Sequence, residues 1–229
     1  DALHQGAILA IPITIACAVA GIVVGTIGQT GVGLQFTESV VGMSNGQLWL
    51  ALILISIAAL VLGMGLPATA AYIVLAVMTG PALQELGLTL ITAHMIIFWL
   101  SQTSNVTPPI ALAAFAGAGI AGAQPMRSAV EAFRLASGLF VIPLMMAYSP
   151  LLLTGQNSWP DVLLAGLVTL ALIVAIAMVT TRFLFTQVGK WQLGLAGLSI
   201  VILIYPSIAG RLAAVGLVMI VALLNYRRL

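Results

Sequence analysis

The sequence predicts an all-α polytopic membrane protein, a helical bundle with one re-entrant hairpin and one discontinuous helix. Of its 229 residues, 62% are hydrophobic and 5% are charged, whereas roughly 25% of the residues in a soluble domain are charged. Several apolar runs reach the roughly 20 residues that a spanning helix needs, while the strands of a membrane barrel would be shorter and alternating. Glycine and proline interrupt two of these runs, which predicts the hairpin and the broken helix.

Charge and cysteine content exclude several classes of partner. The net charge is +2, and the basic residues lie at the ends of apolar segments, where they orient a membrane protein rather than bind nucleic acid. Cys17 is the only cysteine, so a disulfide or a cysteine metal cluster within this chain is excluded. No secretory signal follows Asp1, and we therefore expect a fragment of a longer chain.

The first apolar segment, Gly6 to Ile27, is a candidate span that contains Pro12. The stretch from Gly28 to Gly33 is too rich in glycine to continue a regular helix. We expect the next segment, Phe36 to Gln47, to be a polar connection.

Two short apolar arms follow, Leu48 to Leu62 and Ala68 to Met78, on either side of an interruption at Gly63 to Pro67. Each arm is short for a span, so we predict a re-entrant hairpin over about residues 48–79. The alternative is a single span with a glycine and proline kink, which membrane helices tolerate.

A second pair of short arms, Leu88 to Leu100 and Ile110 to Ala121, surrounds the polar run Ser101 to Pro109. A polar run between apolar arms needs partners in the membrane. We predict one discontinuous helix over about residues 88–122, and the alternative is a loop at the membrane interface.

The rest of the chain contains three ordinary candidate helices, Leu135 to Leu153, Val162 to Thr181 and Leu193 to Ile208. The last apolar segment, Leu212 to Leu224, is interpreted either as a short span or as the second arm of the helix before it.

Loop charges test this order of segments, because short cytoplasmic loops collect lysine and arginine. If the 48–79 segment returns to its starting side, basic and acidic connections alternate across the membrane, and Arg211 is the exception. The basic connections contain Arg127, Arg134, Arg182, Lys190, Arg227 and Arg228, and the opposite connections contain Glu38, Glu85 and Asp161.

The two interruptions have the chemistry of an ion and substrate site. The N-terminus of the arm that begins after Pro67 offers backbone amides and a partial positive charge to a carboxylate. The run Ser101 to Thr107 offers hydroxyl, amide and carbonyl oxygens, which are hard neutral ligands that suit a sodium ion. We expect Na⁺ to be coordinated by Gly63, Thr69, Ser104, Asn105 and Thr107.

An intramembrane enzyme is the alternative class. A serine protease needs a base beside its nucleophile, and a metalloprotease needs a pair of histidines such as HExxH. His94 is the only histidine in the arms, and no Asp or Glu accompanies it. We therefore predict no catalytic residues, and His94 is interpreted either as a proton relay or as a hydrogen-bonded packing residue.

Four blocks of sequence resemble the large membrane (M) subunit of TRAP transporters, in the TAXI branch. They are Thr30 to Leu34, Leu62 to Tyr72, Ser104 to Ala113, and Gly119 to Gly122. The resemblance covers residues 1–153, and residues 154–229 look like an additional transmembrane extension of fused TAXI permeases. It implies an elevator-type secondary transporter of the ion transporter superfamily, located in the bacterial or archaeal inner membrane.

In that family two inverted repeats each supply a hairpin and a broken helix, so the resemblance implies that this chain is the carboxy-terminal repeat and that an amino-terminal repeat is missing. It also implies a small membrane (Q) subunit, a periplasmic TAXI binding protein and an organic anion as substrate, with Na⁺ as coupling ion and no other cofactor. A binding-protein-independent organic-anion symporter of the same superfamily is the alternative. The implied sodium and substrate half-site consists of Gly63, Gly65, Pro67, Ala68, Thr69, Ser104, Asn105, Val106, Thr107 and Pro108.

Overall fold

A computed structural model describes residues 2–152, 158–204 and 207–227 of the chain, which forms two compact units, Asp1–Ala129 and Val130–Leu229. Throughout the described residues the secondary structure is helical, apart from one isolated antiparallel bridge between Phe183 and Gln187. The prediction of an all-α class is confirmed. The predictions that concern Asp1, Leu153 and Arg228 lie outside the described residues, as do positions 205 and 206 of a predicted helix. The division of the chain at residue 153 stays a prediction.

The first unit is built from helices that match most of the predicted arms. Their bounds are α1 (Ala2–Thr30), α2 (Val32–Met43), α3 (Leu48–Gly63), α4 (Ala68–Glu85), α5 (Leu90–Thr103) and α6 (Leu112–Ala121).

The α4 helix is the centre of the first unit, because α1, α2, α3 and α5 all pack against it. Its apolar residues Ala70, Val74 and Met78 form a core with Ala20 of α1. Close packing of these side chains stabilises the contact between α1 and α4, because each buried apolar group gains many dispersion contacts with its neighbours. The second arm of the hairpin is therefore held on several sides, and its N-terminal end is held in place with it.

The chain turns sharply at Gly31, which has a φ of +71°. The helical axes before and after this residue, over Thr14–Thr30 and Val32–Met43, differ by 73°. Glycine permits this left-handed backbone conformation without steric cost. The expectation that the stretch from Gly28 to Gly33 does not continue a regular helix is confirmed, although α1 extends to Thr30, three residues past the predicted end at Ile27.

The expectation of a polar connection over Phe36 to Gln47 was wrong, since α2 occupies most of it. Thr37 and Val40 are buried, and Phe36 packs against the core around α4. The Thr37 hydroxyl donates to the carbonyl of Gly33 (3.1 Å), so a polar side chain is satisfied within the helix. Tertiary packing therefore decides the helical state of a segment whose composition is mixed.

The helix α5 ends later than the polar run suggests, at Thr103. Ser101 and Thr103 are still helical and fully buried. Their hydroxyls donate to the carbonyls of Phe98 and Leu100, each over 2.7 Å. Because a hydroxyl can bond back to the preceding turn, a buried serine or threonine need not end a helix.

The second unit packs three long helices on one another. Its elements are the end of α7 (Pro125–Leu135), a 3₁₀ helix (Ala136–Phe140), α8 (Val141–Tyr148), α9 (Trp159–Thr181), α10 (Lys190–Ile204) and α11 (Ile208–Tyr226). The largest residues of its core come from α9, α10 and α11 and include Leu172, Met178, Leu203 and Val221. Exposed apolar residues such as Leu163, Leu167 and Leu170 line the other face of α9, as expected for a helix in contact with lipid.

Three helical stretches in the described ranges are long and apolar enough to cross a membrane, and the bent pair of α1 and α2 is a fourth candidate. The three are Pro125–Tyr148, Trp159–Thr181 and Ile208–Tyr226. The arms α3, α5, α6 and α10 are apolar but shorter. Short arms are what a hairpin and a broken helix require, and the return of the 48–79 segment to its starting side stays a prediction.

We predict that Asn225→Ala destabilises the second unit. Asn225 is buried, and its side-chain oxygen accepts hydrogen bonds from the amides of Phe185 and Thr186, each over 3.0 Å. Without that oxygen both amides lose their acceptor, which costs about 2–3 kcal/mol of unfolding free energy. The measurement is thermal or denaturant unfolding of the purified chain in detergent.

The matched control for this change is Gln187→Ala, because Gln187 lies in the same loop with an exposed side chain. The control should unfold as the parent protein does. Equal stability of the two variants would show that the Asn225 side chain does not hold the loop.

Candidate ion and substrate site

The hairpin tip is a short turn between α3 and α4. The first helix ends at Gly63 and the second begins at Ala68, with Pro67 as its N-cap residue. The amide of Leu66 donates to the carbonyl of Gly63 (3.3 Å), and Gly65 has a φ of +77°. A side chain at Gly65 would strain this backbone conformation, so the turn depends on glycine.

The start of α4 has the properties of an anion site. The amides of Ala68, Thr69 and Ala70 belong to the first turn, which has no carbonyl partner for them within the helix. The helical bonds begin with the amide of Ala71, which donates to the carbonyl of Pro67 (3.0 Å). Free amides and the helix dipole together favour a carboxylate at this position.

The break between α5 and α6 is a loop of residues 104–111 that is closed by its own backbone. The amide of Val106 donates to the carbonyl of Thr103 (3.2 Å). The amide of Ala113, in the first turn of α6, donates to the carbonyl of Asn105 (3.1 Å). These bonds satisfy part of a backbone that has left the helix and lost its helical partners.

The tip and the break touch at Gly63 and Ser104. A Cβ atom added to Gly63 would lie 2.7 Å from the Oγ of Ser104 and 2.9 Å from its Cβ. Both distances are shorter than a van der Waals contact, so only glycine permits this approach. Both residues are buried, and the structure therefore brings one predicted residue of each interruption into direct contact.

The hydroxyls of the break are arranged so that oxygen lone pairs remain available. Ser104 donates its proton to the carbonyl of Ser101 (2.9 Å), and Thr107 donates its proton to the carbonyl of Thr103 (2.6 Å). A hydroxyl has one proton and two lone pairs, so these oxygens can still accept a bond or coordinate a cation. Such neutral oxygens fit a hard monovalent cation better than a soft metal.

The other predicted site residues follow Gly63 or Ser104 within a few positions of the chain. Gly65 and Thr69 are exposed. The remainder are half-buried, namely Pro67, Ala68, Asn105, Val106, Thr107 and Pro108. The contact that the structure shows between the two interruptions is the one between Gly63 and Ser104, and the cation ligation of the whole set stays a prediction.

The described residues contain no cluster of three or more His, Cys, Asp or Glu side chains that could hold a metal ion. A doubly charged ion needs carboxylates to offset its charge, whereas neutral oxygens are sufficient for a singly charged one.

A further pair of side chains, Tyr72 and His94, joins the hairpin to the broken helix. The Tyr72 hydroxyl and the His94 Nδ1 are 2.8 Å apart, and the Tyr72 ring meets Phe98 edge to face with centroids 6.3 Å apart. His94 is a hydrogen-bonded residue between two helices, as one of its two interpretations expects. The sequence analysis did not single out Tyr72 as a site residue. Its position one helical turn after Thr69 is the feature of the sequence that could have indicated that it lies near the tip.

The fold and the site together define a class. Apolar helices, two glycine- or hydroxyl-rich interruptions in contact, and a helix that begins at one of them are features of a membrane permease for small solutes rather than of a catalyst. Comparisons with curated proteins and with solved structures found no match to the chain.

Residues 1–157 match the family described as "Tripartite ATP-independent periplasmic transporter, DctM component". The chain belongs to this DctM family. It is a multi-pass membrane component of a TRAP transporter of the prokaryotic inner membrane, and it is not an enzyme. The family also implies the other members of a TRAP system, a binding protein and a small membrane subunit.

We predict that Gly63→Ala separates the tip from the break. The added methyl group would overlap Ser104, and overpacking of this kind costs about 1–3 kcal/mol of unfolding free energy. The measurement is thermal unfolding of the purified chain in detergent. The control is Gly117→Ala, since a Cβ atom at Gly117 has no neighbour within 4 Å.

A second substitution tests whether the clash is the cause. Adding Ser104→Gly to Gly63→Ala removes both atoms that the methyl group would meet, so stability should return toward the parent value. If the double variant is no more stable than Gly63→Ala alone, the contact does not limit packing at this point.

We also predict that Tyr72→Phe weakens the junction between α4 and α5. The variant keeps the ring but removes the hydroxyl that pairs with His94, which costs about 1 kcal/mol. Thermal unfolding measures the change, with Tyr148→Phe as the control because Tyr148 is exposed at the end of α8. A loss of stability as large in the control would contradict a specific role for the pair.

Proposed function

We propose that the chain is part of a sodium-coupled TRAP transporter of the TAXI branch, which imports an organic acid anion delivered by an extracytoplasmic TAXI-type binding protein. The observation that carries the proposal is the contact between Gly63 at the hairpin tip and Ser104 in the helix break. Membership of the DctM family supports the transporter class.

Sodium is proposed as the coupling ion because the side-chain oxygens near the contact are neutral, and because their protons are already donated to backbone carbonyls. Ser104 and Thr107 direct their protons to backbone carbonyls, and their lone pairs are left to face a cation. Asn105 adds a side-chain amide oxygen in the same loop, while Gly63 and Thr69 add backbone and hydroxyl oxygens from the tip. Oxygen ligands of this kind match the preference of hard cations.

The substrate is proposed to bind through its carboxylate at helix N-termini. α4 begins at the tip and α6 begins at the end of the break. Each N-terminus carries a partial positive charge of about half an elementary charge. A bound sodium ion beside them would add to this attraction, so ion and anion would favour each other's binding.

We further propose that this hairpin and broken helix form one half of the transport site. A second pair of such elements, from an amino-terminal repeat, would complete the coordination of ion and substrate. The hairpin and the broken helix would then move together as the transporting body of an elevator mechanism. The close approach of Gly63 to Ser104 and the bond between Tyr72 and His94 support such joint movement.

The test is uptake by the complete transport assembly in proteoliposomes, with Asn105→Ala and Thr107→Ala compared with the parent protein. Each change removes one oxygen that we assign to sodium, so the sodium concentration for half-maximal uptake should rise about tenfold, which corresponds to about 1.4 kcal/mol. The substrate concentration dependence at saturating sodium should change less.

The matched control is Thr26→Ala. Thr26 donates its hydroxyl proton to the carbonyl four residues earlier, as Thr107 does, but it is exposed on α1. An unchanged sodium dependence in both site variants would overturn the assignment of these ligands. Uptake that follows a pH gradient without sodium would overturn the coupling ion, and uptake without any binding protein would favour the binding-protein-independent symporter.

A further inference from the structure

The second unit contains a cavity that the transport site does not use. Its volume is about 150 Å³. It lies among the end of α8, the first turns of α9 and the start of α11. The residues that line it are Pro150, Asp161, Leu164, Ala165, Val168, Ile208 and Arg211.

The walls of the cavity are apolar, but two of its lining residues carry opposite charges. Asp161 lies in the first turn of α9, where the helix dipole favours a carboxylate. Arg211 lies in the first turn of α11 and is half-buried. One acidic and one basic residue therefore line the same small, mostly apolar space.

Both residues lie at the same end of the unit, because α9 and α11 each begin at the cavity and run away from it. The opposite ends of these helices are followed by Arg182 and Arg227, in connections of the basic type. Basic connections are cytoplasmic by the charge rule, which places the cavity at the outer face. Arg211 was the single exception to that rule, and its position beside the cavity offers a reason for it.

We propose that this cavity binds the headgroup of a phosphatidylethanolamine molecule from the outer leaflet of the inner membrane. The phosphate would pair with the guanidinium of Arg211, a planar group suited to phosphate oxygens. A guanidinium has five N–H donors in a fork, so it can bond a phosphate oxygen and another acceptor at the same time. The primary ammonium would pair with the carboxylate of Asp161.

A lipid is the occupant favoured by the surroundings of the cavity. Ile208, which lines it, and Leu212, four positions later in α11, are exposed apolar residues. Trp159, at the start of α9, is 67% exposed, and tryptophan is typical of the level of lipid headgroups. The glycerol and upper acyl carbons would thus continue from the cavity along an apolar surface.

The same chemistry predicts which lipid is preferred. A primary ammonium donates hydrogen bonds to a carboxylate, whereas the trimethylammonium of phosphatidylcholine has no N–H to donate. Phosphatidylglycerol has the phosphate but no cation for Asp161. We expect phosphatidylethanolamine to be retained at least about fivefold more than either lipid, a preference of the size that a charge-assisted hydrogen bond supplies.

The experiment is native mass spectrometry of the purified full chain in detergent, titrated with each of the three lipids. Asp161→Asn should remove the preference for phosphatidylethanolamine over phosphatidylcholine. Arg211→Gln should lower retention of both. Arg182→Gln, an exposed change at the other end of α9, is the control and should leave retention and preference unchanged.

A further variant separates loss of binding from loss of folding. Ile208→Trp places a bulky side chain at an exposed position of the cavity lining. It should abolish retention while the thermal unfolding of the chain stays unchanged. Equal retention of the three lipids by the parent protein, or retention that Ile208→Trp leaves intact, would overturn the proposal. Displacement of the lipid by soluble phosphoethanolamine at equal concentration would overturn it in favour of a soluble zwitterion.

Discussion

The structure of the first unit depends on one constraint, which is that backbone groups released from a helix within apolar surroundings need partners. Two helices are interrupted, one at the hairpin tip and one at the break after α5. The interruptions are pressed against each other at Gly63 and Ser104, and each is closed by local backbone bonds. An interruption that faced lipid instead would leave each unpaired group at a cost of several kcal/mol.

The same constraint explains why α4 is surrounded. Its N-terminus can be useful to a ligand only if it is held in a fixed direction, and packing by α1, α2, α3 and α5 provides this. The pair of Tyr72 and His94 adds a polar bond one turn into the helix. Preorganisation of this kind would lower the cost of binding the proposed substrate, because the groups that meet it are ordered before it arrives. In this member of the DctM family, the groups at the tip and the break are backbone amides and hydroxyls rather than the charged side chains that are typical of a catalytic site.

The arms of the hairpin and of the broken helix were predictable because their signals are local. Glycine and proline end helices through their own backbone geometry, and apolar runs of 10–18 residues between them are visible in the sequence. The helical state of Phe36 to Met43 was not predictable in this way. Thr37 and Val40 are helical because α4 lies against them, and a mixed composition does not reveal which neighbour will be present. The late end of α5 at Thr103 has a similar reason, since hydroxyls that bond back to the preceding turn compensate for a polar sequence.

By itself the sequence determined the membrane class, the two interruptions and the type of chemistry available at each, because composition and backbone propensity act residue by residue. Only the tertiary structure decided that Gly63 meets Ser104, that Tyr72 meets His94, and that Asp161 and Arg211 line one cavity. These pairs are 22 to 50 positions apart in the chain. Contacts at such separations depend on how whole helices pack, and helix packing is set by the summed shape of many side chains rather than by any one residue.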